Sequence, residues 1–532
     1  MSESVVVNKG VDEELRVVVK MGSEATVKEA PPYIENDEQE KVRRDPESGS
    51  ALKDWKPYEA ASKEMPVTFF MPPLYYKFRW AWVQIFMKRV VFDICVGEII
   101  MFILALAVAA VPAGVTCCDD ESTGGAATIP LLLTFALASR NSVFTFIFGV
   151  PFERALKWHK WMALFSVISG VYHGVVSKEA DGSGILLVAL MGGLLIFSFF
   201  PFRRWVFEIF LKLHWVLFIG VAVAALIHDA GVVMVGVGIW AFDILCRCII
   251  LWRNRSNSAT VMMTRLPADV IRLSFQKKNF RYMAGQYVFI CIPKVSYFEW
   301  HPFSISSSPH NDEVYLHIRV LGNWTKQLYE KADSTETTAF IDGPYGQPSV
   351  DVDGDRYKIF VFISGGIGIT PMQSICNDLI HQYKKGRPLK KVYFIWSVRD
   401  AFMVTSVLDY DTQYFSKNIP QRLPFSFSPD LLTESLHESV LNAEFYLTRA
   451  REPKDYAAAN ISPGLQSCLK FGRPNLESIF DSVHKLAQST EENKVAVLSC
   501  GPGRLVKDAL KYSDVFSKEG VSFDFHSELF EF

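Results

Sequence analysis

HKWMALFSVISGVYH (159–173) and HWVLFIGVAVAALIH (214–228) are two apolar segments, each opening and closing on a histidine. In both, the histidines stand 14 residues apart. On an α-helix that spacing is about 21 Å of rise and about 40° of rotation, so each pair occupies one face. One further apolar stretch separates the two segments, so as membrane spans they run parallel. His159 then lies level with His214, and His173 with His228. Two levels of facing imidazoles form two bis-histidine sites, an arrangement suited to haem iron. Zinc is disfavoured, because an opposed pair leaves its tetrahedral ligand set half empty. Four unrelated interfacial histidines would be the bland explanation. Two equal pairs in parallel helices are hard to obtain that way, and ionisable side chains at membrane depth are functional by default.

Outward from these segments, six apolar stretches read as spans: 91–115, 128–149, 157–178, 184–201, 204–228 and 232–252. Each is near the ~20 residues needed to cross a bilayer as a helix. Arg140, Arg154, Lys157, Lys160, Arg203, Arg204, Arg247, Arg253 and Arg255 fall on one side, while the opposite loops are acidic or neutral. By the positive-inside rule both termini are expected in the cytosol. Asp243 and Arg247, spaced i,i+4, read as a local ion pair.

Residues 1–65 are rich in Glu, Lys, Ser and Pro and are expected to form a disordered cytosolic tail, without a signal peptide or a calcium-binding loop. The 532-residue chain is 49% hydrophobic yet 21% charged, a mixture that fits a membrane domain joined to a soluble one. Its formal net charge of −2 excludes a basic nucleic-acid binder, and its nine cysteines show neither zinc-site spacing nor a secreted disulfide framework.

After Trp252 the pattern changes. Short β-branched runs predict an antiparallel barrel over 256–350, and alternating strands and helices predict an open α/β domain over 351–532 with an insertion near 404–441. The transmembrane haem domain is expected over 66–255. His301-Pro302-Phe303-Ser304-Ile305-Ser306 offers hydroxyls and backbone amides able to hold a flavin and its ribityl chain. Arg319, thirteen residues past Ser306, is a cation able to pair with a pyrophosphate. Gly343-Pro344-Tyr345-Gly346 reads as a turn. In Ser364-Gly365-Gly366-Ile367-Gly368-Ile369-Thr370-Pro371 a strand leads into a helix, and the glycines admit a nucleotide pyrophosphate to the helix N-terminus. Cys500-Gly501-Pro502 ends another strand, where the thiol is placed to reach a nicotinamide.

Taken together, these strings resemble the ferric reductase and NADPH oxidase superfamily over roughly residues 90–532. The resemblance implies a six-helix haem bundle joined to a ferredoxin-reductase-like module, with FAD, NADPH and two b-type haems as cofactors. It implies that HPFSIS is the flavin motif, that Arg319 with Trp324 and Thr325 forms the flavin phosphate segment, and that GPYG, SGGIGITP and CGP serve the cofactors. Arg473 in FGRPN (471–475) and Arg399 in WSVRD (396–400) are then candidates for the 2′-phosphate of NADPH, and Phe532 for a ring stacked on the flavin. The implied activity is electron transfer across a membrane, expected to be the plasma membrane, from cytosolic NADPH to an external acceptor. Short external connections beside His173 and His228 favour a ferric chelate over dioxygen. A proton-relaying transporter is the alternative of another class, and it leaves the flavin and nucleotide strings unexplained.

Overall fold

The computed structural model describes residues 55–57, parts of 85–107, and residues 120–139, 152–177, 181–199, 203 and 205–528, apart from 256–258, 277–279, 298, 333–334, 347, 409–439, 456, 460 and 462. Most of the first expected span, most of the N-terminal tail, most of the insertion and Phe532 lie outside the described residues.

Beyond a partly described helical stretch near 96–103, the membrane portion contains α1 (Asp120–Leu137), α2 (Phe152–Val176), α3 (Gly182–Phe197), α4 (Phe207–Ile227) and α5 (Val233–Arg255). They correspond to the second to sixth expected spans, with shifted ends. Among the described residues, one helix segment, Ile209–Ile227, is both long and apolar enough to cross a membrane, with a mean hydropathy of 2.2; Thr123–Leu137 and Gly182–Phe197 are apolar but shorter. The helices pack as a ring in which α1 touches α2 and α5, and α3 touches α2 and α4. Small residues allow the close approach: a Cβ added at Gly236 of α5 would lie 2.3 Å from the Leu132 carbonyl oxygen of α1. Outward-facing Ile209, Val216, Ile219, Val223, Ile227, Phe242 and Trp252 are exposed, as a lipid-facing surface requires. Buried Glu98 accepts from Arg154 (3.2 Å) and the Trp158 indole (3.1 Å), which neutralises a carboxylate next to the helix face that carries His159. Arg247 meets Asp243 at 3.1 Å, the expected i,i+4 pair.

The region that follows the membrane helices is a six-stranded antiparallel sheet. Its strands are β1 (Ala259–Leu266), β2 (Val270–Gln276), β3 (Tyr287–Cys291), β4 (His301–Ser304), β5 (Glu313–Arg319) and β6 (Thr335–Tyr345), with α6 (Asn323–Lys331) between the last two. The order is β4-β3-β6-β1-β2-β5. Gly343-Pro344-Tyr345 lies within the end of β6 rather than in a free turn, because Tyr345 pairs with Tyr287.

The second sheet has six parallel strands: β7 (Ile359–Gly365), β8 (Lys391–Val398), β9 (Leu441–Leu447), β10 (Leu469–Phe471), β11 (Lys494–Cys500) and β12 (Ser522–Glu528). Helices α7 (Ile369–Lys384), α8 (Phe402–Val407), α9 (Leu476–Ser489) and α10 (Gly503–Phe516) accompany it. Every residue of β7 is buried, which is why its sequence is a continuous apolar run. The order β10-β9-β8-β7-β11-β12 reverses direction between β7 and β11, and ligands of open α/β sheets bind outside the strand C-termini at such a switch point.

The two sheets are fastened through α7. Ser374 Oγ donates to the Ser307 carbonyl at 2.6 Å, Ser308 Oγ donates to the Ser374 carbonyl at 2.7 Å, and a Cβ at Gly285 would strike Ile375 at 2.7 Å. Trp55 departs from the expectation of a free tail. Its indole donates to Gln382 Oε1 at 3.3 Å and faces Arg387 at 5.5 Å.

Candidate functional site

In the membrane bundle α2 and α4 face one another across the ring, and the four histidines meet in the expected combinations. His159 and His214 have ring centres 6.4 Å apart, and His173 and His228 6.2 Å. Metal–nitrogen bonds of about 2.0–2.1 Å on opposite sides of one ion put imidazole centres roughly 6.3 Å apart. Ring nitrogens are also committed in the way a metal ligand needs. His159 Nδ1 lies 2.8 Å from the Thr134 carbonyl, His173 Nδ1 2.9 Å from Thr123 Oγ1, and His228 Nδ1 3.0 Å from Ser183 Oγ. A carbonyl can only accept, so His159 carries its proton on Nδ1 and leaves Nε2 free to ligate. The donor set therefore fits two bis-histidine haem irons.

In the flavin sheet, His301 and Phe303 project from β4 toward Trp324 of α6, with ring centres 4.4 Å and 5.9 Å from the indole. His301 Nε2 and Trp324 Nε1 are buried and without a hydrogen-bond partner among the described residues. Unsatisfied buried polar atoms are costly, and two side by side mark a place where a polar ligand completes the structure. Burial lowers the His301 pKa to about 4, so its imidazole is neutral. Ser306 Oγ accepts from the His317 amide at 3.1 Å, which ties β5 to the flavin loop; burial and the nearby Arg272 take His317 itself down to about 3. Thr325 is otherwise engaged than expected for a phosphate ligand: its hydroxyl accepts from the amides of Leu321 and Gly322, both at 3.0 Å, and caps α6.

The glycine turn after β7 is built by close backbone approach between two strand ends. Gly366 has φ +55°, in the region that favours glycine, and a Cβ there would stand 3.8 Å from Arg319 Nη1. Arg319 is thus at the mouth of the glycine turn. A Cβ at Gly368 would lie 2.6 Å from the Cys500 carbonyl, one at Gly365 2.5 Å from Pro502 Cδ, and one at Gly501 2.8 Å from the Gly365 nitrogen. Gly365, Gly368, Cys500, Gly501 and Pro502 therefore form one interlocked strand-end constellation, with Gly366 in the turn after β7 and Thr370 and Pro371 in the first turn of α7. Thr370 Oγ1 donates back to the Ile367 carbonyl at 3.1 Å. Burial, with Glu528 adding to it, raises the Cys500 thiol well above its ordinary pKa, so it stays protonated.

Two arginines escaped the sequence reading. Parallel pairing puts Val398 opposite Leu447, and Leu447 opposite Phe471. The next residues of these three strands bring Arg399, Arg449, Arg451 and Arg473 to the same edge of the sheet. A cavity of about 590 Å³ opens there, lined by Thr448, Arg449, Ala450, Arg451, Phe471 and Gly472. Arg449 and Arg451 sit in a short string, LTRAR, whose charge pattern has no meaning until the strand registers are known.

Comparison with known proteins agrees with this division. Residues 123–179 match the ferric reductase like transmembrane component, 254–349 an FAD-binding domain, and 357–418 with 426–514 the ferric reductase NAD binding domain. Dual oxidase 2 of Rattus norvegicus is 26% identical over 75% of this chain and 30% of its own length. A superoxide-generating NADPH oxidase heavy chain of Dictyostelium discoideum is 31% identical over 50% of this chain and 39% of its own. The chain thus spans about a third of the length of these relatives. A ferredoxin NADP+ reductase from Neisseria gonorrhoeae aligns at 15% identity and a TM-score of 0.36, over 51% of this chain and 98% of that one. With a transmembrane component, an FAD-binding domain and a nicotinamide-binding domain in this order, the chain belongs to the ferric reductase and NADPH oxidase superfamily.

Proposed function

We propose that this chain is a membrane oxidoreductase that moves electrons from NADPH on the cytosolic side to an acceptor on the opposite face. The observation that carries the reading is the pair of facing histidine levels, at ring distances of 6.4 and 6.2 Å, on the same chain as a flavin and nucleotide module. His159 with His214 would hold an inner haem and His173 with His228 an outer one, within a six-helix bundle. The flavin sheet, closed as a barrel, would hold FAD through His301, Pro302, Phe303, Ser304, Ser306, Arg319 and Trp324. Bound flavin and haem supply the conversion of two-electron donation into single-electron transfer, chemistry that no side chain performs.

What the chain's own residues contribute is placement. Gly365, Gly366 and Gly368 let a pyrophosphate reach the N-terminal end of the helix that follows. Cys500, neutral and buried at the neighbouring strand end, offers contact to a nicotinamide without competing as a thiolate. The four strand-end arginines supply fixed positive charge for the 2′-phosphate that distinguishes NADPH from NADH. Phe532 would shield the flavin from solvent until nicotinamide arrives.

Dioxygen is the acceptor favoured by the relatives, which bear the names of oxidases. A ferric chelate is the second reading. It is favoured by the short connections flanking the outer histidines: residues 177–181 join α2 to α3, and 228–232 join α4 to α5. The test is reduction of an external ferric chelate by full-length protein in sealed vesicles with NADPH inside, with and without oxygen. Anaerobic reduction that resists superoxide dismutase establishes the chelate. Superoxide in air, with no anaerobic chelate reduction, establishes dioxygen. If NADPH reduces neither acceptor nor the bound haems, the oxidoreductase reading fails.

A further inference from the structure

The two histidine levels differ in what holds their imidazoles. At the outer level each ring meets a hydroxyl followed in sequence by a glycine, in the first turn of a helix. Thr123 Oγ1 is 2.9 Å from His173 Nδ1, and a Cβ at Gly124 would lie 3.4 Å from His173 Cε1. Ser183 Oγ is 3.0 Å from His228 Nδ1, and a Cβ at Gly184 would lie 2.7 Å from His228 Cε1. At Gly184 the missing side chain is what lets the Ser183 hydroxyl reach its ring, whereas at Gly124 an added methyl would make only an ordinary contact. At the inner level, His159 Nδ1 meets a backbone carbonyl and the buried His214 Nδ1 has no partner among the described residues.

A carboxylate completes the outer arrangement. Ser183 Oγ donates to Asp181 Oδ2, and that same oxygen lies 3.5 Å from His228 Nδ1. With its proton committed to Asp181, the Ser183 hydroxyl accepts from His228. The imidazole proton is thereby fixed on Nδ1, and Nε2 keeps its lone pair for a metal. Negative charge at the end of such a chain draws on the Nδ1 proton and makes the ring a stronger electron donor, which stabilises ferric over ferrous iron. Among the described residues, no carboxylate stands behind either inner Nδ1 in this way.

We propose that Asp181 and Ser183 are positioning residues that act through His228 to lower the potential of the outer haem, with Thr123 orienting His173 opposite. The inference rests on reading His173 and His228 as a haem pair. Its consequence is directional: a lower potential makes the outer level a stronger one-electron donor to whatever stands outside.

The experiment is a spectroelectrochemical titration of the full-length protein in nanodiscs, alongside haem quantitation. The outer wave is the one lost in His173→Leu. Asp181→Asn, which keeps shape and removes charge, is expected to move the outer wave to higher potential and leave the inner wave in place. Ser183→Ala is expected to do the same, and Ser183→Thr to restore the original value. Two bound haems with an unmoved outer wave in Asp181→Asn overturn the relay, as does an equal shift of both waves. Should Ser183→Ala lose its haem, Asp181→Asn still decides between these outcomes. An unaltered protein that binds fewer than two haems overturns the relay together with the haem-pair reading beneath it; two haems with no selective shift overturn the relay alone.

Discussion

The membrane bundle and the nucleotide sheet build their sites by opposite means. In the bundle the proposed haem sites rest on four side chains that helical periodicity sets on two faces, and the backbone is occupied with its own hydrogen bonds. In the nucleotide sheet the proposed site is mostly backbone: the β7 and β11 ends pack so closely that a Cβ added at Gly365, Gly368 or Gly501 would lie within 3 Å of a neighbour, and the candidate side chains arrive from strands distant in sequence. A side-chain site is fragile at a few residues. A backbone site is fragile wherever an atom is added.

The largest effect should come from the bundle. Replacing His173 or His228 with Leu removes one haem of two and abolishes reduction of any external acceptor, while NADPH still reduces the flavin. Haem quantitation with stopped-flow flavin reduction checks this, and retention of both haems would break the comparison.

Next come the strand-end arginines. A hydrogen bond to a charged group is worth about 1.5–3 kcal/mol. Arg449→Ala or Arg451→Ala should therefore raise KM for NADPH by roughly 10- to 100-fold and leave KM for NADH nearly unchanged. Steady-state kinetics with both donors measures it; equal losses for both would move the 2′-phosphate elsewhere.

Gly368→Ala tests the backbone site. The added methyl would lie 2.6 Å from the Cys500 carbonyl, which has no flexible side chain to move aside. Overpacking of this kind costs about 1–3 kcal/mol. The expected result is a lowered Tm and weakened nucleotide binding with the haem spectrum untouched. An unchanged Tm would mean the interlock is looser than it looks.

The smallest effect is pH dependence. Burial lowers His301 to about 4 and His317, with Arg272 adding to it, to about 3, against 6.5 for the free imidazole. Folding therefore favours the neutral rings. Their contribution is complete above pH 6.5 and is lost as pH falls toward 4 and below, because the unfolded chain binds the extra protons. Stability should fall across that window by at most about 1.4 kcal/mol per pH unit per histidine, and Tm should fall with it. His317→Gln should flatten the decline. A Tm that rises on acidification would contradict the burial of both rings.

The limits of sequence reading follow the same division. His159, His173, His214 and His228 were legible because a helix converts a spacing of 14 into one face, a local rule that needs no knowledge of neighbours. Ser364–Pro371 was legible because glycine at a strand end has a conformational meaning of its own. The GPYG string misled as a free turn, since nothing local shows that Tyr345 pairs with Tyr287. Thr325 was assigned by resemblance to a phosphate, and the structure gives its hydroxyl to the α6 cap.

By itself, then, the sequence determined the order of the domains, the two histidine levels and the nucleotide turn, because each depends on periodicity or on the absence of a side chain. Only the tertiary structure decided which hydroxyls reach the outer imidazoles, how Gly368 meets Cys500, and that Arg399, Arg449, Arg451 and Arg473 share one edge. Those facts depend on strand register and helix contacts between residues up to about 130 positions apart. Such register is set by the packing of whole elements against one another, which no local pattern encodes.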